Sequence, residues 1–223
     1  FFAEVAHGSE QAAAEAGRTV VIANTNGDPG AERRGVEAFL RRRVEAILFT
    51  TVTDRANVEL AIAAGVPLAQ VERLRGVETA AVTVDNYRRA VEATDALGDV
   101  RLGDADPAPG APGGPRHHRV VERERLSGYQ DALASHGIDA PPHLVVLGQS
   151  YYDLVAARAA VGAWLQRPGP ERPTAVFATC DILAAGVLQE AYARGLRAPD
   201  DLSVVGFDDT IADQLSPALT TVR

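Results

Sequence analysis

Lysine is missing altogether. All 22 basic residues of this 223-residue chain are arginine, and 30 acids outnumber them, for a net charge of -8. A surplus of that sign argues against nucleic-acid binding by this chain itself, because such affinity comes mainly from neutralising phosphates. Any DNA contact needs another segment. Cysteine is nearly absent: Cys180 stands alone, so no internal disulfide can form and no oxidising compartment is required. No stretch approaches the roughly 18 apolar residues of a transmembrane helix, and no basic start followed by an apolar run marks a signal peptide. The chain opens at Phe1-Phe2 without a methionine, from which we expect it to begin inside a longer protein. Enzyme signatures are lacking too. There is no Gly-rich phosphate loop after a strand, no Gly-x-Ser-x-Gly elbow and no pair of histidines at metal-binding spacing. His117 and His118 are adjacent in a charged region that reads as a solvated loop. No catalytic residue, metal or cofactor is expected.

What is present is globular: 46% hydrophobic and 23% charged, on a chain long enough for one large α/β domain or two ordinary subdomains. The pattern predicts a helix over Phe2–Ala16, a strand at Thr19–Ala23 and turn chemistry over Asn24–Gly30. A helix at Ala31–Arg43, a strand at Val44–Thr50, a helix begun by Asp54, and strands at Pro67–Val71 and Ala80–Val84 follow. Strands alternating with helices imply right-handed βαβ units and a parallel sheet. The turn at Asn24–Gly30 could seat a phosphate on the next helix, but is read more simply as a turn.

A helix from Asp85 through Leu97 closes this layer, and then the rhythm breaks. Gly103–Pro115 holds four prolines and four glycines, the composition of a flexible loop, with a lid at a cleft mouth as its alternative. Helical signals return at Leu126, Tyr129 and Leu133. A strand at Leu144–Leu147, a helix at Val155–Leu165, a strand at Thr174–Ala178, a helix capped by Asp181 and a strand at Leu202–Phe207 complete a second α/β layer. Two such layers predict two Rossmann-like subdomains with parallel sheets and a ligand cleft between them. The last strand ends in Asp208 and Asp209, where open α/β sheets bind ligands. Asp208 reads as a ligand group and Asp209 as a cap of the next turn.

Several stretches resemble the effector-binding domain of the lactose-repressor (LacI/GalR) family, a fold shared with periplasmic sugar-binding proteins. They are Phe1-Phe2-Ala3-Glu4-Val5, Val84-Asp85-Asn86, Arg125-Leu126-Ser127-Gly128-Tyr129, Pro173 to Asp181, and Pro199 to Asp209 with Leu219-Thr220-Thr221-Val222. The resemblance implies a small-molecule effector, a sugar or nucleoside, bound between the lobes. It implies operator DNA held through a headpiece outside this chain, a homodimer, a cytoplasmic location and no membrane. The alternative is an exported sugar-binding protein of a transporter. By resemblance, Asp208 accepts hydrogen bonds from effector hydroxyls, Arg125 clamps the ligand, Phe2 and Phe1 stack on its ring, and Cys180 and Asp181 stand at the family's Asn-Asp. Without the family, Phe1 and Phe2 read equally as core staples and Arg125 as a surface partner of Glu122. Cys180 departs from the family's asparagine, replacing an amide by a weak thiol, which points to an effector less rich in hydroxyls or differently oriented. The implied lobes are residues 1–84, rejoined at about 216–223, and residues 85–215. The family continues after Leu97 through a strand absent here, so a segment is expected to be missing between Leu97 and Gly98, besides a first strand before Phe1 and a stretch after Arg223.

Overall fold

A computed structural model describes residues 1–50, 52–71, 77–97, 102–105, 118–138, 145–146, 154–168 and 172–223. They divide into two compact units. The first is Phe1–Val84 with the opening turn of a later helix; the second begins at Asp85 and runs to Arg223.

In the first unit, helix α1 (Phe2–Glu15) precedes α2 (Pro29–Arg41), strand β1 (Ile47–Phe49), α3 (Arg55–Ala63), β2 (Leu68–Val71) and β3 (Ala80–Val82). The strands pair in parallel in the order β1-β2-β3. Pro29 opens α2 and Asp28 accepts a hydrogen bond from Gly30 N at 2.7 Å, so the chain's own carboxylate caps this helix and the phosphate alternative loses its site. Asp54 caps α3 in the same way, through Ala56 N. Ile47 and Phe49 face Val36 of α2 and Val58 and Ala61 of α3, which form this unit's core. The strand expected at Thr19–Ala23 does not form: the segment is in no ladder, and Val21 and Ile22 are 48% and 61% exposed. Its apolar composition suits a strand, but a strand exists only where a neighbour takes its backbone groups. One buried carboxylate escaped the sequence reading. Glu32 of α2 accepts from Thr53 N, Asp54 N and Asn57 Nδ2 at 2.8, 3.2 and 2.8 Å, fixing the segment between β1 and α3.

The second unit contains α4 (Asn86–Asp95), β4 (Leu102–Ala105), α5 (His118–Ser135), β5 (Val145–Val146), α6 (Leu154–Leu165), β6 (Ala175–Ala178), α7 (Asp181–Ala193), β7 (Ser203–Phe207), a 3-10 turn at Ala212–Gln214 and β8 (Thr220–Val222). All five strands are parallel, in the order β5-β4-β6-β7-β8. Every residue of β6 is buried, as expected of a central strand covered on both faces. Ala175 and Phe177 pack with Tyr129 and Leu133 of α5 on one side. Val176 packs with Val161 and Trp164 of α6 and Val187 of α7 on the other. The chain order reverses between β4 and β6, which makes their carboxyl ends the switch point at which such sheets bind ligands.

Two expectations are corrected here. The chain does not rejoin the first unit at its end, since β8 extends the second sheet by pairing with β7, Val205 to Thr220 through Phe207 to Val222. Nor is the entry strand of the second sheet missing: residues 103–105, read as the start of a loop, belong to β4 (Leu102–Ala105), which pairs with both β5 and β6. Composition hid it, because Gly103, Asp104 and Ala105 are poor strand formers that pairing on both sides overrides. The argument for a segment lost after Leu97 falls with it, while the Leu97–Gly98 junction and the Pro/Gly stretch 106–115 lie outside the described residues.

Candidate functional site

Arg125 projects from α5 at the carboxyl end of the second sheet and is 4% exposed. Its Nε donates to Asn86 Oδ1 at 2.9 Å and its Nη1 to the backbone carbonyl of Thr179. Nη2 lies 3.6 Å from Asp208 Oδ1, and the guanidinium carbon sits 3.6 Å from the centroid of the Phe207 ring. One side chain thus gathers the start of α4, the end of β6 and the end of β7. Arg125 is therefore buried among Asn86, Thr179, Phe207 and Asp208 rather than paired with Glu122 at the surface.

Local sequence explains how Arg125 gets there. Asp85 accepts from Arg88 N and starts α4, which sets Asn86 in its first turn. Gly128 lies one turn after Arg125, and a Cβ there would overlap the Tyr87 carbonyl and meet Ala90 Cβ at 3.0 Å. Only glycine lets α5 approach α4 closely enough for Arg125 to reach Asn86. Tyr129 completes the motif from the core side, its ring 6.3 Å from that of Phe177.

Asp208 follows β7 in the left-handed region at φ 96, and Asp209 follows at φ 48. Such conformations are uncommon for residues other than glycine and concentrate at functional sites. The Asp208 side chain is 7% exposed. Burial pushes its carboxyl above the ordinary carboxylate range and the Asp181 charge adds to the rise, while Arg125 pulls it back. At 3.6 Å the pair is held by charge rather than by a direct hydrogen bond. A carboxylate acceptor beside guanidinium donors, with an aromatic ring beneath, is chemistry suited to hydroxyl groups.

Asp181 and Asp209 differ from expectation. Cys180, not Asp181, is the N-cap of α7, extended and without a side-chain cap bond. The Asp181 carboxylate accepts instead from Thr210 N at 2.6 Å and Ile211 N at 3.3 Å, and from Thr221 Oγ1 at 2.6 Å. An aspartate at the start of a helix looks the same in sequence whether it caps that helix or reaches elsewhere. Asp209 caps nothing; it lies 3.5 Å from Arg223 Nε at the surface. Cys180 sits among Ala178, Leu183 and Ala184, and burial pushes its thiol up to about 12, so it stays protonated and inert. Phe1 and Phe2 open α1 in the first unit, edge to face with centroids 5.2 Å apart. Asn86, the Thr179 carbonyl and Phe207 are site members the sequence reading did not single out; the adjacency of Phe207 to Asp208 was the available signal.

The sheet is wholly parallel with buried charged groups at its carboxyl edge, the place at which open α/β sheets hold small ligands. Residues 111–223 match the model of the periplasmic binding protein-like domain. The chain is 30% identical over 228 residues to the HTH-type transcriptional regulator DegA of Bacillus subtilis (strain 168), covering 100% of this chain and 65% of that protein. It is also 30% identical over 224 residues to the ribose operon repressor of Haemophilus influenzae, with the same coverage. A LacI-family transcriptional regulator from Lactobacillus casei, solved with bound glucose, superposes with a TM-score of 0.81 at 25% identity, over 99% of this chain and 81% of that one. The chain therefore belongs to the periplasmic binding protein-like family, and the relatives it resembles over its whole length are transcriptional regulators. It spans 65% of the length of those two curated relatives.

Proposed function

We propose that this chain is the effector-binding part of a LacI-type transcription regulator. It takes a hydroxyl-bearing small molecule, a sugar or nucleoside, at Arg125 and Asp208. The ligand's different affinity for two conformations is passed to a DNA-binding headpiece elsewhere in the protein. The observation that carries this reading is the buried Arg125–Asp208 pair on the Phe207 ring at the carboxyl edge of the sheet. A buried ion pair is poor value for stability alone, since desolvation offsets its attraction, so its place at a ligand edge favours a binding role. Cys180, where the resemblance implies an amide, narrows the polar contacts. Asp181 supports the site through the protein rather than by touching the ligand. The relatives are regulators, which favours a cytoplasmic homodimer acting without catalysis on its operator; no helix among the described residues is long and apolar enough to cross a membrane.

The test is ligand-induced thermal stabilisation of the full-length protein across D-ribose, D-glucose, adenosine and cytidine. A ligand at a hundredfold its Kd adds about 2.7 kcal/mol. That stabilisation is expected to vanish in Asp208→Asn, and the active ligand is expected to change binding to a promoter fragment of the protein's own gene. Stabilisation that survives Asp208→Asn would move the site elsewhere, and ligand binding with no effect on DNA would favour the transporter-linked alternative.

A further inference from the structure

We infer that Asp181 is a positioning residue: its buried carboxylate locks the turn from Asp208 to Ile211 and so aims the Asp208 side chain at the ligand. The inference rests on the reading of Asp208 as the ligand's carboxylate, and adds to it the group that sets its direction. Asp181 is 0% exposed, and a charge enclosed to that degree is tolerated only where its lone pairs are met. Both oxygens are met from outside its own helix. Oδ2 accepts from Thr210 N at 2.6 Å, Ile211 N at 3.3 Å and Thr210 Oγ1 at 3.3 Å, and Oδ1 accepts from Thr221 Oγ1 at 2.6 Å.

The turn so gripped holds two successive non-glycine residues at positive φ, a conformation that persists only when its surroundings over-determine it. Two constraints do so. Asp208 N donates to Val222 O at 3.0 Å, fixing the near end of the turn to β8, and Asp181 fixes the far end at residues 210 and 211. Gly206 makes room for this arrangement: a Cβ there would stand 2.6 Å from Asp181 Oδ1 and 2.7 Å from Leu219 Cδ2. The absence of a side chain at 206, between Val205 and Phe207, thus follows from the anchor. The first unit uses the same device, with Glu32 of one helix holding Thr53 N and Asp54 N after β1.

The experiment compares wild type, Asp181→Asn and Thr221→Val in the full-length protein. Amide hydrogen exchange at Thr210 and Ile211 is expected to quicken about ten- to a hundredfold in Asp181→Asn, with Val205 in β7 unchanged, because the turn loses a charged acceptor. Thr221→Val removes one of the four bonds and keeps the carboxylate, so it gives a smaller change of the same sign and serves if Asp181→Asn does not fold. Unchanged exchange at both amides overturns the inference. The second readout is affinity for whichever of D-ribose, D-glucose, adenosine and cytidine stabilises the wild type, measured for Asp181→Asn, Asp208→Glu and the double variant. If Asp181 acts through Asp208, the double variant loses no more than Asp208→Glu alone. Losses that multiply mean that Asp181 meets the ligand itself, and the positioning role fails. If none of D-ribose, D-glucose, adenosine and cytidine binds the wild type, the ligand reading of the site is what fails, and exchange alone decides for Asp181.

Discussion

Replacing the two members of the buried ion pair should have very different effects on the unliganded protein. Arg125→Ala removes the donor to Asn86 Oδ1 and to the Thr179 carbonyl, removes the cation from the face of Phe207, and leaves the Asp208 carboxylate enclosed without its counter-ion. Breaking a buried pair from one side costs about 3–5 kcal/mol. For a domain of this size that is a fall in Tm of about 6–20 °C. Asp208→Asn keeps the shape, and Arg125 keeps Asn86, the Thr179 carbonyl and Phe207. It also removes a carboxylate whose charged form burial disfavours. We expect its unliganded stability to stay within about 1 kcal/mol of wild type, even though ligand binding is lost. The assay is urea unfolding followed by the fluorescence of Trp164, the single tryptophan, which is buried in the second unit. Equal losses for the two variants, or a larger loss for Asp208→Asn, would refute the assignment of Arg125 as both scaffold and clamp and of Asp208 as a site that costs stability for function.

The same carboxyl predicts a pH dependence. Its folded-state value is raised, so its contribution to stability is fully present below the ordinary carboxylate value and is lost as pH rises through the raised one. Wild type should therefore lose stability relative to Asp208→Asn as pH rises above the ordinary carboxylate value, and a pH-independent difference in urea midpoints would contradict this. Gly128→Ala puts a methyl against the Tyr87 carbonyl, with an expected cost of about 1–3 kcal/mol and weaker ligand stabilisation through displacement of Arg125; unchanged affinity would show that the close approach of α5 to α4 does not set the clamp. Cys180→Asn, in a buried apolar surround, should cost about 1–3 kcal/mol and re-rank the ligand panel, and an unaltered ranking would remove position 180 from the ligand contacts.

The elements that could be read from the chain are those whose signals are local. Asp54 and Asp85 cap α3 and α4 as residue type and spacing suggest, and Gly128 and Tyr129 follow Arg125 at helical intervals that pack one side of α5. What was hidden depends on partners distant in sequence. The apolar run Thr19–Ala23 satisfies a strand pattern but joins no ladder, whereas Leu102–Ala105 fails the pattern and is held by neighbours on both sides. The cap role expected of Asp181 gives way to distant partners, because the groups that donate to its carboxylate lie 29 to 40 residues further on. The position of Asp208 at the carboxyl end of β7 is legible because an apolar run that stops at a carboxylate marks the end of a buried strand.

The most direct test of the central claim is a crystal structure of the full-length protein with whichever of the tested sugars or nucleosides stabilises it. The account predicts a ligand hydroxyl within hydrogen-bonding distance, about 2.6–3.0 Å, of an Asp208 carboxylate oxygen, with Arg125 still seated on Phe207. A ligand that touches neither Asp208 nor Arg125 would contradict it.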